Sequence, residues 1–250
     1  MINADGKKLF RIKALVDIEE YGVKAGDLGG WIEKEDNLSQ SGNAWIFGEA
    51  KVYDDAQVSS DAMVSDDANI SGAAKVYGNA GVYGNTEVYG DAMVSGDANV
   101  SGAAKVYGNA EVSGDACVSG SAKVYGDTKV SGSAWVYGSA KVSSNALVYG
   151  SAKVYGDAWV SGDAWVYGSA KVSGDADYAV IKGFGTEYRP TTFFRCRDGE
   201  ARVICGCFYG TIAEFREQVK QTRNGKVADE YLKIADLMEY HFKEDSGING

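Results

Sequence analysis

From Gly42 to Ala176 the chain repeats every six residues with no insertion or deletion, as in AKVYGNAGVYGNTEVYGD. A repeat of fixed period constrains architecture before any other pattern, because each unit must bury its apolar side against its own copies. Val or Ile occupies every sixth position from Ile46 to Val172. Ala stands two residues earlier, from Ala44 to Ala176, with Thr86 and Thr128 as the exceptions. In extended backbone alternate side chains face opposite ways, so Ala44 and Ile46 share one side and Trp45 and Phe47 the other. The next two residues are usually Gly followed by Asp, Asn or Ser, the chemistry of a tight turn. Each hexad therefore reads as one short strand and one corner. Three hexads close a triangular coil of eighteen residues, with Ala and Val inside.

A lone coil buries too little to offset the ordering of its own backbone, so stability must come from coil-to-coil hydrogen bonding and continuous interior stacking. The 135 residues from Gly42 to Ala176 make about seven and a half coils. At roughly 4.8 Å per strand spacing they build a rod about 36 Å long. The fold class expected is an all-β solenoid, a parallel β-helix, in three segments: an N-terminal cap over 1–41, the repeats over 42–176, and a small α+β domain over 177–250.

The hexads resemble those of the left-handed β-helix proteins of the bacterial hexapeptide-repeat superfamily, best known for acyltransferases that are usually trimers. The left hand comes from the resemblance alone, since parallel crossovers are generally right-handed. Two further stretches, LFRIKALVDIEEYGVKAGDLGGWIEKEDNLSQ and CGCFYGTIAEF, resemble segments of uncharacterised hexapeptide-repeat proteins common in bacteriophage, prophage and enterobacterial genomes. What the resemblance implies is a homo-oligomer, with the trimer favoured, and a phage or prophage origin.

The acyltransferase reading requires a base, typically an imidazole, which suits a group titrating near neutral pH. No histidine lies in the repeat, and no loop interrupts the coils to cover a neighbouring site; the one histidine, His241, is expected to follow a C-terminal helix. The leading expectation is thus a non-enzymatic binding rod without catalytic residues, cofactor or metal, acting on a host or phage protein or on a small anionic ligand such as a nucleotide. An acyltransferase-like enzyme with an altered intersubunit site and an acidic nucleic-acid mimic are the alternatives.

Composition narrows the partners. A net charge of -10 argues against direct nucleic-acid binding, which rests on Lys and Arg neutralising phosphates. No apolar run approaches a membrane span, the polar start MINADGKK is not a signal peptide, and four Cys without secretory features fit a cytoplasmic location. Asp61, Asp97 and Asp115 on one edge, and Asp55, Asp91, Asp127 and Asp163 on another, form acidic corner rows, though Asp and Asn are also ordinary turn residues.

Threading the outward positions by eighteen assigns the candidate sites. One face stacks Tyr89, Tyr107 and Tyr125 beside Lys105, Lys123 and Lys141, with Trp159 further along, a basic and aromatic ladder suited to an anionic ligand. The second gathers Leu147, Tyr149, Trp165 and Tyr167, and the third Trp135, Tyr137 and Tyr155, as aromatic interface candidates. Packing along a solvated sheet explains such residues equally well.

The ends need caps, because a solenoid exposes apolar interior and open strand edges there. Leu9, Phe10, Ile12, Leu15, Val16, Trp31 and Ile32 are expected to form the first lid, with a bend at Gly29 and Gly30 delivering the Trp31 indole to the open coil. Beyond Ala176, strands are expected over 178–184, 191–197 and 201–208, the last two joined at Asp198 and Gly199. A capping box of Thr211 and Glu214 opens a helix carrying Ile212, Phe215 and Val219. A second helix runs from about Val227 to Tyr240 with Leu232, Ile234, Leu237 and Met238. Cys205 and Cys207 are placed on one side of a strand, near Cys196 on its partner. With His241 they would make a zinc set, but the spacing is not a recognised knuckle and buried thiols are the favoured reading.

Overall fold

The computed structural model describes residues 2–4 and 6–243; residues 1, 5 and 244–250, at the edges of the expected end segments, lie outside it. The repeats form a parallel β-solenoid of about eight coils with three flat faces. Face 1 runs from Leu28–Ile32 to Trp159–Val160, face 2 from Leu38–Gly42 to Trp165–Val166, and face 3 from Trp45–Ile46 to Lys171–Val172. Register keeps the eighteen-residue spacing throughout, so Lys105 lies opposite Lys123, Val106 opposite Val124 and Tyr107 opposite Tyr125. Each coil donates its backbone N–H groups to the next, as from Lys105 to the Ala122 carbonyl at 2.9 Å and from Trp135 to the Ala152 carbonyl at 2.9 Å.

The interior follows the hexad. The Val and Ile positions from Ile46 to Val172 are wholly buried, as are the Ala positions from Ala50 to Ala170. Thr86 and Thr128 fit among them because each hydroxyl turns back to its own corner, donating to the Tyr83 carbonyl at 2.6 Å and the Tyr125 carbonyl at 2.7 Å. Corners are tight for a definite reason. At Gly78, with φ of 75°, a Cβ would stand 2.9 Å from the Gly96 nitrogen of the next coil. Asp54 and Asp66 take the same left-handed conformation, and their carboxylates accept from the N–H of Gly72 at 3.1 Å and of Gly84 at 2.9 Å. Short acidic side chains that bond locally tolerate this region better than most.

The solenoid begins earlier than the regular hexads. Leu28–Ile32 already pairs in parallel with Lys51–Val52, and Leu38–Gly42 with Gln57–Ser60. Lys7–Lys13 and Ile2–Ala4 then extend face 1 as antiparallel strands. The plug for the open coil is Ile12, Ala14, Val23 and Leu38, all in the main core. Gly29 and Gly30 lie inside a strand rather than at a bend: a Cβ on Gly29 would strike Ile12 at 2.6 Å, and one on Gly30 would strike Ile46 at 2.4 Å. Trp31 does not fill the coil either. It stands in the outward register opposite Lys51 and packs outside on Leu9 and Tyr53. Its indole N–H donates to Glu49 at 2.9 Å, with the Arg11 guanidinium 5.0 Å above the ring. That bond, followed by the one from Arg11, holds the Glu49 carboxyl below the usual carboxylate range. Phe10, Leu15 and Val16 are exposed, Leu15 by 83%, so they are not part of the lid.

The C-terminal domain is a four-stranded antiparallel sheet, Tyr178–Ile181, Thr191–Arg195, Ala201–Cys205 and Phe208–Thr211, with two helices, α1 (Ile212–Thr222) and α2 (Gly225–Phe242). The expected single strand over 201–208 is two strands, broken at Gly206, whose φ of 60° turns the chain back on itself. The hairpin at Asp198 and Gly199 is present, and the capping box is formed: Glu214 N–H donates to Thr211 Oγ1 at 3.1 Å and Thr211 N–H to Glu214 Oε2 at 2.7 Å. Alternation along Thr191–Arg195 divides the domain. Phe194 joins the solenoid core with Cys196 and Ile204, while Phe193 packs under α1 and α2 with Val203 and Phe215. Leu237, expected on the apolar side of α2, is 58% exposed.

Candidate functional site on the outer faces

Face 1 places its candidate residues in one strip. The Tyr89 and Tyr107 rings stack with centroids 4.9 Å apart and planes 2° apart, and Tyr107 on Tyr125 repeats this at 4.9 Å and 1°. A planar group sandwiched between two rings needs about 7 Å, twice a carbon contact distance. The ladder is therefore closed to intercalation and offers ring edges and hydroxyls. Burial, then the neighbouring Tyr89 and Tyr125, pushes the Tyr107 phenol above its ordinary value.

Beside the rings, Lys105, Lys123 and Lys141 lie directly opposite one another on successive strands. Lys105 donates to Glu87 at 2.7 Å, a bond that raises its ammonium. Lys141 sits 5.6 Å from the centroid of the Trp159 ring. Lys123 has no ion pair, hydrogen bond or ring contact among the described residues. Trp159, half exposed, donates its indole N–H to Ser143 Oγ at 3.0 Å, and its carbonyl accepts from the Tyr178 hydroxyl at 2.6 Å. The strip ends there in an open cleft of about 390 Å³ between Trp159 and Tyr178.

The second face is different in kind. Tyr149 and Tyr167 are 4.4 Å apart, and Tyr167 meets Tyr209 of the C-terminal domain edge-on at 5.1 Å. Trp165 and Tyr167 are partly buried against the core, and the Trp165 N–H donates to Thr192 Oγ1 at 3.1 Å. This end of face 2 is occupied by the chain's own C-terminal sheet, leaving Leu147 and Tyr149 at its border. Face 3 carries Trp135, 47% exposed, edge-on to Tyr137 at 6.4 Å, with Tyr137 stacked on Tyr155 at 5.1 Å. Lys153 lies 4.8 Å from the Trp135 centroid and Lys171 5.8 Å from that of Tyr155.

The acidic corner rows are interleaved with amide donors. Asn79 donates to Asp97 at 2.8 Å, Asn109 to Asp127 at 2.7 Å and Asn145 to Asp163 at 3.0 Å. Lys182 also reaches Asp163, and its bond, ahead of the one from Asn145, lowers that carboxyl. Asn in these rows relieves like-charge stacking, so the rows are not continuous arrays of free carboxylates.

The thiols do not gather. Cys207 lies in the turn after Gly206 and not on a strand with Cys205; Thr191 opposes Cys205, which puts Cys196 five residues further along that strand direction. Cys196 is buried against the rod, where burial pushes its thiol up. His241 lies within the last turn of α2 and donates to the Ala176 carbonyl at 3.1 Å. Among the described residues no three His, Cys, Asp or Glu side chains form a metal-binding group.

One concavity escaped the sequence reading. A cavity of about 280 Å³ opens in the C-terminal domain, with Arg189, Arg223 and Tyr231 among its lining residues. The only local signal was the CGC turn at its edge.

The fold defines a parallel β-solenoid capped at both ends. Compared with models of known protein families and with curated proteins, the sequence matches none. Among the described residues no helix is long and apolar enough to cross a membrane.

Proposed function

We propose that this protein is a non-enzymatic binding rod, a left-handed hexapeptide-repeat β-helix of phage or prophage type that assembles as a trimer in the cytoplasm. Its recognition surface in this reading is the face 1 strip, and its partner is a protein presenting an acidic segment. The observation that carries the reading is the run of Lys105, Lys123 and Lys141 in direct cross-strand register. Like charges so placed cost stability. The expense is relieved at Lys105 by Glu87 but not at Lys123. A chain of net charge -10 that keeps three adjacent lysines on one flat face keeps them for something outside itself. A flat strip with closed tyrosine stacks suits a macromolecular surface better than a nucleotide, which requires a concave site. Trp159 at the end of the strip supplies the aromatic anchor that such interfaces favour.

The test separates binding from folding. Lys123→Gln should raise thermal stability slightly, by about 0.2–1 kcal/mol, because it removes a like-charge neighbour. It should also weaken binding of a fluorescent oligoglutamate peptide roughly fivefold, in a salt-dependent way. Lys129→Gln on face 2, where the lysine is paired with Glu111 at 2.9 Å, should leave peptide binding unchanged. Peptide binding indifferent to Lys123→Gln and Lys141→Gln, or a loss of stability in Lys123→Gln, would overturn the reading.

A further inference from the structure

The cavity in the C-terminal domain is lined by parts of the chain that come together only in the fold. The loop before Thr191 contributes Arg189, the Gly206 hairpin contributes Cys207 and Phe208, the end of α1 contributes Val219 and Arg223, and α2 contributes Tyr231. Its floor is apolar. Phe215 and Val219 are each 3% exposed, and Phe215 meets Phe208 at 5.5 Å and Tyr231 at 5.8 Å.

Its cations are under-used. Arg223 caps α1, donating its backbone N–H to the Val219 carbonyl at 2.9 Å, and its guanidinium donates only to the Thr222 carbonyl at 3.2 Å. No carboxylate lies within ion-pair distance of Arg223 among the described residues. Arg189 has one acidic neighbour, Glu187 at 3.6 Å, which also lines the cavity; both side chains are more than half exposed, so an entering oxyanion competes with that carboxylate for Arg189 while Arg223 stands free of any ion pair. Two glycines hold the walls close. A Cβ on Gly206 would stand 3.4 Å from the Arg189 guanidinium, and one on Gly185 would strike the Tyr231 hydroxyl at 2.4 Å. The Tyr231 hydroxyl, in a residue 8% exposed, makes a long bond of 3.3 Å to the Phe184 carbonyl and also meets the Cys205 thiol.

We infer that this cavity is a binding site for a small molecule with an oxyanion head and a single apolar ring. The planar guanidinium forks of Arg189 and Arg223 match carboxylate or phosphate oxygens. The Phe208, Phe215 and Val219 floor takes the ring, and a volume of about 280 Å³ is ample for one ring with its oxyanion head. The site is independent of the face 1 strip, being built wholly from residues after Ala176.

Titration of the full chain with benzoate and with phenyl phosphate tests the inference and asks which oxyanion is preferred; benzamide is the neutral control. At least one anion should raise the melting temperature and slow the alkylation of exposed Cys207, followed by peptide mass mapping, while benzamide does neither. Arg223→Gln and Arg189→Gln should each lower the affinity tenfold or more, and Lys123→Gln should not change it. Should Arg223→Gln fail to fold, Arg189→Gln alone decides, since that side chain is exposed. If neither anion shifts melting or protects Cys207, or if the arginine variants bind as tightly as the parent, the assignment is wrong.

Discussion

Asn37 is wholly buried, and its side chain makes four hydrogen bonds. Its Oδ1 accepts from the N–H of Glu33 at 3.1 Å and of Lys34 at 2.9 Å, and its Nδ2 donates to the carbonyls of Asp54 at 3.1 Å and Ala56 at 2.8 Å. It thereby closes the first corner of coil 1, the strands from Leu28–Ile32 to Trp45–Ile46, and ties that corner to coil 2, those from Lys51–Val52 to Met63–Val64. Asn37→Ala removes all four bonds and strands the Lys34 N–H, while the Glu33 N–H keeps the Val52 carbonyl at 3.2 Å. At about 1 kcal/mol net per bond, reduced where water enters the relaxed corner, the cost is about 3 kcal/mol. Global unfolding is a poor readout for a stacked array, in which one end opens without the other. Amide hydrogen exchange resolves it: Glu33, Lys34 and the amides of coil 2 should exchange about a hundredfold faster, since 1.4 kcal/mol is tenfold. Amides near Lys105 should be unchanged. Asn37→Asp, which keeps the acceptor but turns a buried carboxylate oxygen toward the Asp54 and Ala56 carbonyls, should accelerate exchange at least as much as the Ala variant near neutral pH. Acceleration under tenfold, or an equal acceleration along the whole rod, would refute the assignment of Asn37 as a local lock.

Ser144 occupies a left-handed corner, φ 63°, in the column that otherwise holds Asp54, Gly72, Gly90, Gly108, Gly126 and Gly162. Ser144→Gly should therefore raise the melting temperature by relieving about 1 kcal/mol, and Gly96→Ala, whose Cβ would stand 2.9 Å from the Gly114 nitrogen, should lower it. Burial would raise the Asp177 carboxyl, but the bonds it accepts from the Ser173 hydroxyl and the N–H groups of Ser173 and Gly174, with the Arg195 guanidinium 3.4 Å away, hold it below the ordinary value of 3.8. A depressed folded value means that its contribution is full above the unfolded value and is lost as pH falls through the folded one. Acid unfolding of the C-terminal cap below about pH 4 should accordingly be less steep in Asp177→Asn, measured by tryptophan fluorescence.

Much of the rod was legible because its interior rule is local. Ala and Val two apart, followed by Gly, leave one way to orient a strand, and the eighteen-residue register then orders every outward residue, Tyr89 beside Tyr107 beside Tyr125 included. The Thr211 and Glu214 cap and the Asp198 and Gly199 turn were readable for the same reason. Where the period stops, hydrophobicity no longer says which way a residue faces. Leu15 and Val16 look like lid residues by composition as much as Ile12 does, yet of the three only Ile12 joins the plug, because the pairing of Lys7–Lys13 with Leu28–Ile32 brings it over the coil. The Arg189, Arg223 and Tyr231 cavity was hidden because its lining is separated by tens of residues and joined only by tertiary packing.

The two ends solve one problem with different side chains, and the difference can be traced to what lies beyond each corner. Inner coils have a neighbour on both sides, whereas the first and last have one, so each end needs contacts that the hexad does not provide. Both ends use a short 3-10 turn, Glu35–Asn37 and Asp175–Asp177, closed by its third residue. Asn37 and Asp177 accept alike from the two N–H groups that follow the preceding strand. Beyond Asn37 stand two carbonyls of the next coil, which require a donor, and a neutral amide supplies it without burying charge. Beyond Asp177 there is no further coil. The Arg195 guanidinium stands there instead, in contact with the Phe242 ring at 5.8 Å and donating to the Phe242 carbonyl at 3.3 Å. A carboxylate is the complement to that cation, and it links the last corner of the rod to the last turn of α2. The hexad thus sets the middle of the molecule, while one side chain at each end, matched to the group it faces, sets where the middle stops.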